Sequence, residues 1–310
     1  MLSSQEIWQP FTIFQTSDSM GKRMKKQFIR FAKELIERAP RLAMTYRCVR
    51  DNWQRDAVPQ QTDMGFKFVG NQSIQCGQFE PEETEIVQRI FPQVDVVVNI
   101  GANIGYYCCV ALSKGKPVVA FEPVNLNLHY LLKNIKANHW ESKIEIYPVA
   151  LSDKIGVAEM YGGGTGASLL RGFSGTSEWY KNLVPSTTLD TILGSRFHGK
   201  KCLMIVDVEG AEPLLLAGAA SILGMEPKPI WMMEITIADH LSNGIGINQN
   251  LLSTFQFFWN AGYDAYTANR QSRIVSRHEL EEIIRSGLDT LGVYNFIFVE
   301  SGKGAWWSMD

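Results

Sequence analysis

Five places in this 310-residue chain put polar or ionisable residues directly behind runs of apolar, β-branched residues. They are Asn99 and Asn103 in VDVVVNIGANIGYY, Glu122 in KPVVAFEP, Asp153 in KIEIYPVALSD, Asp207 and Glu209 in CLMIVDVEGAEP, and Glu234 in PIWMMEI. Each run reads as a strand, and in open α/β sheets ligands bind beyond the carboxyl ends of the strands. A single acid at a strand end is ordinarily a solvated carboxylate. Five strands in succession that deliver polar groups to one edge point instead to a shared site. Its chemistry would be that of acids: binding hydroxyls, attracting cations and accepting protons.

The first of the five has the most specific pattern. Residues 94–100 read as a strand buried on both faces, and Asn99-Ile100-Gly101-Ala102-Asn103-Ile104-Gly105 turns it into a helix at Tyr106. Such a turn leaves unpaired backbone N–H groups at a helix N-terminus. Gly101 permits the sharp turn, Asn103 suits the N-cap, and Gly105 lets a ligand lie close to the backbone. The spacing is G-x-x-x-G rather than G-x-G-x-x-G, which disfavours a nicotinamide dinucleotide. Glu122 falls 21 residues after Gly101, the offset from which an acid ending the second strand reaches a ribose diol. The glycine-rich run 162–168 lacks the Lys-Ser/Thr ending of a P-loop and reads as a mobile connection near the site.

These residues need a scaffold, and the rest of the chain supplies one. Residues 65–73 suggest a short strand or hairpin, and Phe79–Thr84 opens a helix with an acidic first turn that ends before Pro92. The second strand, 116–122, leads to a helix over 125–138 with Leu128, Leu131, Leu132 and Ile135 on its inner face. A third strand spans 143–151, a further one 155–160, and 183–190 reads as an edge segment because of Pro185. Strand 202–208 turns into a helix with Glu212 and Pro213 in its first turn. Strand 229–235, helix 247–260, strand 263–267, helix 278–285 and strand 292–299 complete the series. This alternation implies an α/β domain with a mainly parallel sheet.

Composition sets the remaining bounds. Hydrophobic residues at 45% and charged ones at 20% suit a globular chain, and no apolar run is long enough to span a membrane. The first twenty residues do not read as a secretory signal. Cys48, Cys76, Cys108, Cys109 and Cys202 show neither zinc nor disulfide spacing, which favours a reducing, cytoplasmic setting. Net charge is −2, yet residues 21–55 hold eleven Lys/Arg against three acids, +8 locally, leaving −10 for the remainder. Phe28, Phe31, Leu35 and Ile36 recur there at helical spacing. The segment reads either as a leading helix with solvated charges or as a peripheral contact with anionic lipid or an acidic partner. The acidic body argues against nucleic acid as a partner. The expected organisation is a basic helical extension at 1–64, a catalytic domain at 65–301 and a short tail at 302–310, whose Trp306 and Trp307 dock on the body or on a partner.

Taken in order, Asn99-Ile-Gly-Ala-Asn-Ile-Gly-Tyr106, Phe121-Glu-Pro123, Val149-Ala-Leu-Ser-Asp153, Thr188-Leu-Asp190, Val206-Asp-Val-Glu-Gly-Ala-Glu212 and Trp231-Met-Met-Glu234 resemble the motif series of the FkbM family of S-adenosylmethionine-dependent methyltransferases. The resemblance covers about residues 65–300. It implies a Rossmann-like class I methyltransferase fold, a twisted sheet with helices on both faces, parallel except for an antiparallel last strand. It also implies O-methylation of a sugar or natural-product hydroxyl on a small-molecule or glycan acceptor. In that setting Asn99, Gly101, Ala102, Asn103, Gly105 and Tyr106 would surround the methionine half of the cofactor. Glu122 would take the ribose, Ala150, Leu151 and Asp153 the adenine, and Asp207 would complete the cofactor site. Asn99 stands where the family's first motif usually begins with Asp, and the lost charge would weaken cofactor binding by about 1 kcal/mol.

A hydroxyl is a poor nucleophile until its proton has somewhere to go. Asp207, Glu209, Glu234 and His240 are the candidates. Glu209 or His240 could serve as general base, although His240 reads equally as a surface or packing residue. Alternatively Asp207 and Glu234 could hold a divalent cation that polarises the hydroxyl. A second class of function, motivated by Asn99, is a module that binds the cofactor but is catalytically degenerate.

Overall fold

The structure, a computed structural model, describes residues 57–70, 72–173, 180–238, 241 and 246–308. The basic segment 21–55 and His240 lie outside the described residues. The compact unit is Pro59–Asp310.

Its elements run β1 (Gln60–Gln61), β2 (Lys67–Phe68), α1 (Pro81–Ile90), β3 (Val96–Ile100), α2 (Tyr106–Ser113), β4 (Val118–Phe121), α3 (Asn125–Ala137), β5 (Ile144–Tyr147), β6 (Ala150–Leu151), β7 (Gly156–Tyr161), β8 (Lys181–Thr187), α4 (Leu189–Leu193), β9 (Cys202–Val206), α5 (Glu212–Ala217), β10 (Ile230–Glu234), α6 (Leu251–Asn260), β11 (Tyr263–Thr267), α7 (Arg277–Ser286) and β12 (Asn295–Glu300). Seven strands form the central sheet in the order β11-β12-β10-β9-β3-β4-β5. The pairs β10–β9, β9–β3, β3–β4 and β4–β5 are parallel, and β12 runs antiparallel to both β10 and β11. This is the Rossmann-like class I methyltransferase sheet with its reversed last strand.

Every residue of β3 and β9 is buried, as expected for largely apolar strands of a parallel sheet covered on both faces. Side chains alternate across the sheet. Val96, Val98 and Ile100 join one core with Leu189 of α4, Leu215 of α5, Phe255 of α6 and Leu280 of α7. On the other face Asn99 reaches Cys108 of α2. Cys108, Cys109 and Cys202 are buried packing residues.

Three local expectations change. The stretch 143–151 is two strands, because Pro148 has no N–H and Val149 N–H turns back to the Tyr147 carbonyl. β5 stays in the central sheet, while β6 joins a second sheet ordered β6-β8-β7. β8 is therefore a middle strand despite Pro185. That residue pairs with Val157 on one side only, since β6 reaches no further than Ser186 and Thr187. Finally, Leu132 is 49% exposed, and α3 instead buries Asn127, Tyr130, Leu131, Asn134 and Ile135.

Those asparagines have work to do. Asn138 Oδ1 accepts from Lys67 N–H at 2.8 Å while its Nδ2 donates to the Lys67 carbonyl at 2.7 Å. Asn134 Oδ1 accepts from Val69 N–H at 2.6 Å, and its Nδ2 donates to the Ile104 carbonyl at 2.9 Å. Side-chain amides thus pair with the β2 backbone as a neighbouring strand would, fixing the β1–β2 hairpin to α3. At the other end of the chain Trp307 docks on the body. It is buried, meets Tyr266 edge-on at 5.6 Å, and is followed by Ser308, whose carbonyl accepts from Arg89.

Candidate active site

Strand register builds the site. Tyr147, Phe121, Ile100, Val206 and Met233 lie in one row across β5, β4, β3, β9 and β10. The next position along each chain therefore places Glu122, Gly101, Asp207 and Glu234 side by side at the carboxyl edge. Backbone bonds extend the pairing to this row: Gly101 N–H to Phe121 O, Asp207 N–H to Ile100 O and Glu122 N–H to Tyr147 O, at 3.0–3.1 Å.

A cleft of about 530 Å³, counting the part open to solvent, lies above β3, β4 and β9. Gly101, Asn103, Glu122, Ala150, Leu151, Asp207 and Glu209 line it, with Ile100, Phe121, Met160, Ala167 and Leu169 as apolar walls. Gly101 is required there twice over. Its φ is +74°, and a Cβ at this position would stand 1.7 Å from the Asp207 carbonyl oxygen.

The carboxyls in and around the cleft are strongly perturbed; Glu122, Asp207 and Glu209 line it, while Glu212 and Glu234 do not. Glu122 is buried and accepts three bonds: Asn103 N–H at 2.7 Å on Oε2, and Val124 N–H at 2.8 Å and Asn127 Nδ2 at 3.3 Å on Oε1. Burial outweighs these bonds and pushes it up to about 7. Asp207 rises to about 6 through burial, opposed by the Glu209 backbone N–H, and its Oδ1 is buried with no hydrogen-bond partner. Glu209, at φ +52°, is held well above the usual carboxylate range by burial and by Asp207 and Glu212. Glu234 is raised in the same way by burial and by Asp207, Glu209, Glu80 and Glu212. Glu212, which accepts from Gly210 N–H, stands at about 7.

Several expected residues sit elsewhere. Helix α2 begins at Tyr106 with Gly105 as its N-cap. The amides before it have partners already: Asn103 N–H on Glu122, Ile104 N–H on the Asn103 side chain, Gly105 N–H on the Ala102 carbonyl. Gly105 makes room for Leu131 rather than for a ligand. The Tyr106 hydroxyl faces Thr84 and Met64. Asp153 is exposed and bonds Ser152 Oγ. Asn99 donates its amide to Cys108 Sγ at 3.6 Å and does not line the cleft. A divalent cation takes six or more oxygens. Among the described residues no group of three or more His, Cys, Asp or Glu is placed to hold an ion, and no observation supports the Asp207–Glu234 metal pair.

Other residues belong to the site unannounced. Glu80, which begins α1, has φ +42° and gives its helix no side-chain cap. Its carboxylate accepts instead from the Tyr107 hydroxyl at 2.6 Å, and burial pushes it up to about 8. Ser168 Oγ donates to the Glu209 carbonyl at 2.6 Å, and the Phe173 ring lies against Gly210. Asn127 joins Glu122 to the Gly164 carbonyl.

A seven-stranded sheet of this order, with an acid-lined cleft at its carboxyl edge, defines a class I methyltransferase. The chain belongs to the FkbM methyltransferase family: the family's domain, described as the methyltransferase FkbM domain, matches residues 99–269, more than half of the chain. Membership implies S-adenosylmethionine as methyl donor. Among solved structures the chain is similar to a methyltransferase FkbM from Methylobacillus flagellatus KT, with 17% identity over 66% of this chain and TM-score 0.41; this chain spans 44% of that one. It is also similar to a precorrin-6y C5,15-methyltransferase from Geobacter metallireducens GS-15 (11% identity, 80% of this chain and 99% of that one, TM-score 0.39). A putative O-methyltransferase from Klebsiella pneumoniae matches at 10% identity over 71% and 79% of the two chains, TM-score 0.38. No curated protein matches the chain significantly. Among the described residues no helix is long and apolar enough to cross a membrane.

The residues fit the cofactor. Glu122 offers a carboxylate to a diol, the walls at Phe121, Leu151 and Leu169 are apolar, and the unpartnered Asp207 Oδ1 is an acceptor awaiting a positively polarised group.

Proposed function

We propose that this methyltransferase is O-directed and acts on a hydroxyl of a sugar or natural-product acceptor, with Glu122 holding the ribose and Asp207 and Glu209 at the reacting end. The observation that carries this reading is the row of Glu122, Gly101, Asp207 and Glu234 with its buried, unpartnered Asp207 oxygen. When bound, S-adenosylmethionine supplies an electrophilic methyl group on a cationic sulfur. Asp207 lowers the free energy of a cation beside it, and the ring of acids excludes anions from the same space. Glu209 takes the acceptor's proton. Glu209 lines the cleft, and in its ionised form burial and its acidic neighbours make it a stronger base than a solvated carboxylate. His240 is the other candidate for this role.

Asn99 motivates the catalytically degenerate alternative, yet its amide lies against Cys108 and leaves the row of acids intact. That supports the active reading. Calorimetry with S-adenosylmethionine and S-adenosylhomocysteine, followed by a methyl-transfer screen against saccharides and hydroxylated natural products, tests it. Binding of neither ligand ends the enzyme reading; transfer to amines alone ends the O-directed one; loss of activity in excess chelator restores a metal. For residues 21–55 we include peripheral contact with an anionic membrane surface. Liposome co-sedimentation of the full chain and of a variant with Lys22, Arg23, Lys25 and Lys26 changed to Gln checks it, and equal pelleting removes the idea.

A further inference from the structure

The glycine-rich run that follows β7 reaches the cleft. Residues 162–169 pass over the cleft as a strap, and Gly164, Ala167 and Leu169 line its upper side. Its base is closed by the backbone of Tyr161, whose N–H donates to the Ser168 carbonyl at 2.8 Å and whose carbonyl accepts from Ser168 N–H at 3.0 Å, and side chains tie it at two further points. At the ribose end the Gly164 carbonyl accepts from Asn127 Nδ2 at 3.0 Å. At the reacting end the fully buried Ser168 donates to the Glu209 carbonyl at 2.6 Å, and its Oγ also accepts from Leu170 N–H. The first tie is unusual because of what else Asn127 touches. The same amide nitrogen donates its second hydrogen to Glu122 Oε1 at 3.3 Å. Asn127 is 4% exposed, so neither bond has water as an easy substitute.

One planar NH₂ group therefore connects the carboxylate that faces the ribose with the backbone that covers the cleft. We propose that Asn127 is a positioning residue that transmits ribose occupancy to the strap: a diol seated on Glu122 fixes the carboxylate, the carboxylate fixes the amide, and the amide holds Gly164 down. The inference rests on the methyl-donor reading of the cleft. Glu122 already accepts three bonds, and a carboxylate has about four acceptor positions, so a bound diol competes within a crowded set rather than joining an empty one. Its arrival settles which oxygen serves which donor. A ligand without the diol leaves that set unsettled and the strap free to open.

Deuterium exchange of the strap amides and dissociation kinetics test this without an acceptor. In the native chain, S-adenosylhomocysteine should slow exchange across 162–169, and its 2′,3′-dideoxy counterpart should bind without doing so. In Asn127→Ala, S-adenosylhomocysteine should still bind, but it should dissociate on the order of five- to tenfold faster and no longer protect the strap. Ser168→Ala, which cuts the side-chain tie to Glu209 and keeps the backbone pair with Tyr161, should change strap exchange equally with either ligand and so leave the diol's effect on the Gly164 end. Equal strap protection by the two ligands, or native protection in Asn127→Ala, overturns the proposal while the cofactor reading stands. A chain that binds no S-adenosylhomocysteine overturns both.

Discussion

The Asp207 carbonyl oxygen occupies the place where a side chain on Gly101 would begin, 1.7 Å from an ideal Cβ. The turns that follow β3 and β9 are thus packed backbone against backbone, and their seam lies in the cleft wall. Gly101→Ala combines a left-handed φ, costing about 1–2 kcal/mol for an L-residue, with a collision against main chain that no rotamer relieves. We expect a fall in stability of about 3 kcal/mol or more and no S-adenosylhomocysteine binding. Native-like melting would show that the two turns can separate.

The acid-rich edge fixes the sign of the pH dependence. Glu80, Glu122, Asp207 and Glu212 all hold their protons more tightly folded than unfolded, with folded values of about 8, 7, 6 and 7. The folded chain therefore carries more protons than the unfolded chain between roughly pH 4 and 8, and stability without ligand should decline as pH rises through that window. A cation favours the ionised acids, so S-adenosylmethionine should bind more tightly at pH 8 than at pH 6, with proton release. The thioether product lacks the sulfonium charge and should show a weaker trend. Calorimetry in buffers of different ionisation enthalpy reads both slopes.

Glu80 isolates one carboxyl of that set. Below its value of about 8 it is neutral, and Gln is its near-isostere, with a carbonyl still able to accept from Tyr107. Glu80→Gln should melt like the native chain at pH 6 and at a higher temperature at pH 9, where the native residue is ionised among other acids. A difference of equal size at both pH values would show that the carboxyl acts through shape rather than charge.

Glu122→Gln replaces two acceptor oxygens by one and turns an NH₂ toward backbone N–H donors. Hydrogen bonds to a charged acceptor contribute about 1.5–3 kcal/mol, so S-adenosylhomocysteine affinity should weaken roughly ten- to a hundredfold. Unchanged affinity in a folded variant would remove Glu122 from the ribose site.

Asn99→Asp restores the acid that the family's first motif usually carries. Asn99 is 3% exposed and bonds the Cys108 thiol rather than the cleft, so the substitution buries a carboxyl without a paired cation. Stability should drop by about 1–3 kcal/mol, more at pH 8 than at pH 5, while ligand affinity stays within about twofold. A tightened affinity would place this side chain in cofactor binding after all.

The strand ends were legible because β-branched runs announce buried strands, and the polar residues behind them could only emerge at one edge. That reasoning placed Glu122, Asp207 and Glu234 along one sheet edge, with Glu209 in the cleft wall. It misjudged the helix N-terminus at Asn103, since a count of orphan amides along the chain does not reveal that Glu122, 19 positions away, already accepts one. Asn127 was hidden for another reason: among Asn125, Asn134 and Asn138 it reads as one more solvated side chain, and only tertiary contacts show three of these facing inward. The break at Pro148 had a signal, a missing N–H inside a supposed strand, whereas the left-handed backbone of Glu80 has none.

Two side-chain amides, Asn134 of α3 and Asn138 just past its end, stand in for a strand beside Lys67 and Val69. Anyone trimming this protein to its recognisable core would be tempted to start at residue 99, where kinship with the family begins. Doing so would strip Asn134 and Asn138 of their backbone partners in the hairpin and loosen the very helix whose first turn holds the Glu122 carboxylate. The shortest functional version should instead begin ahead of Pro59.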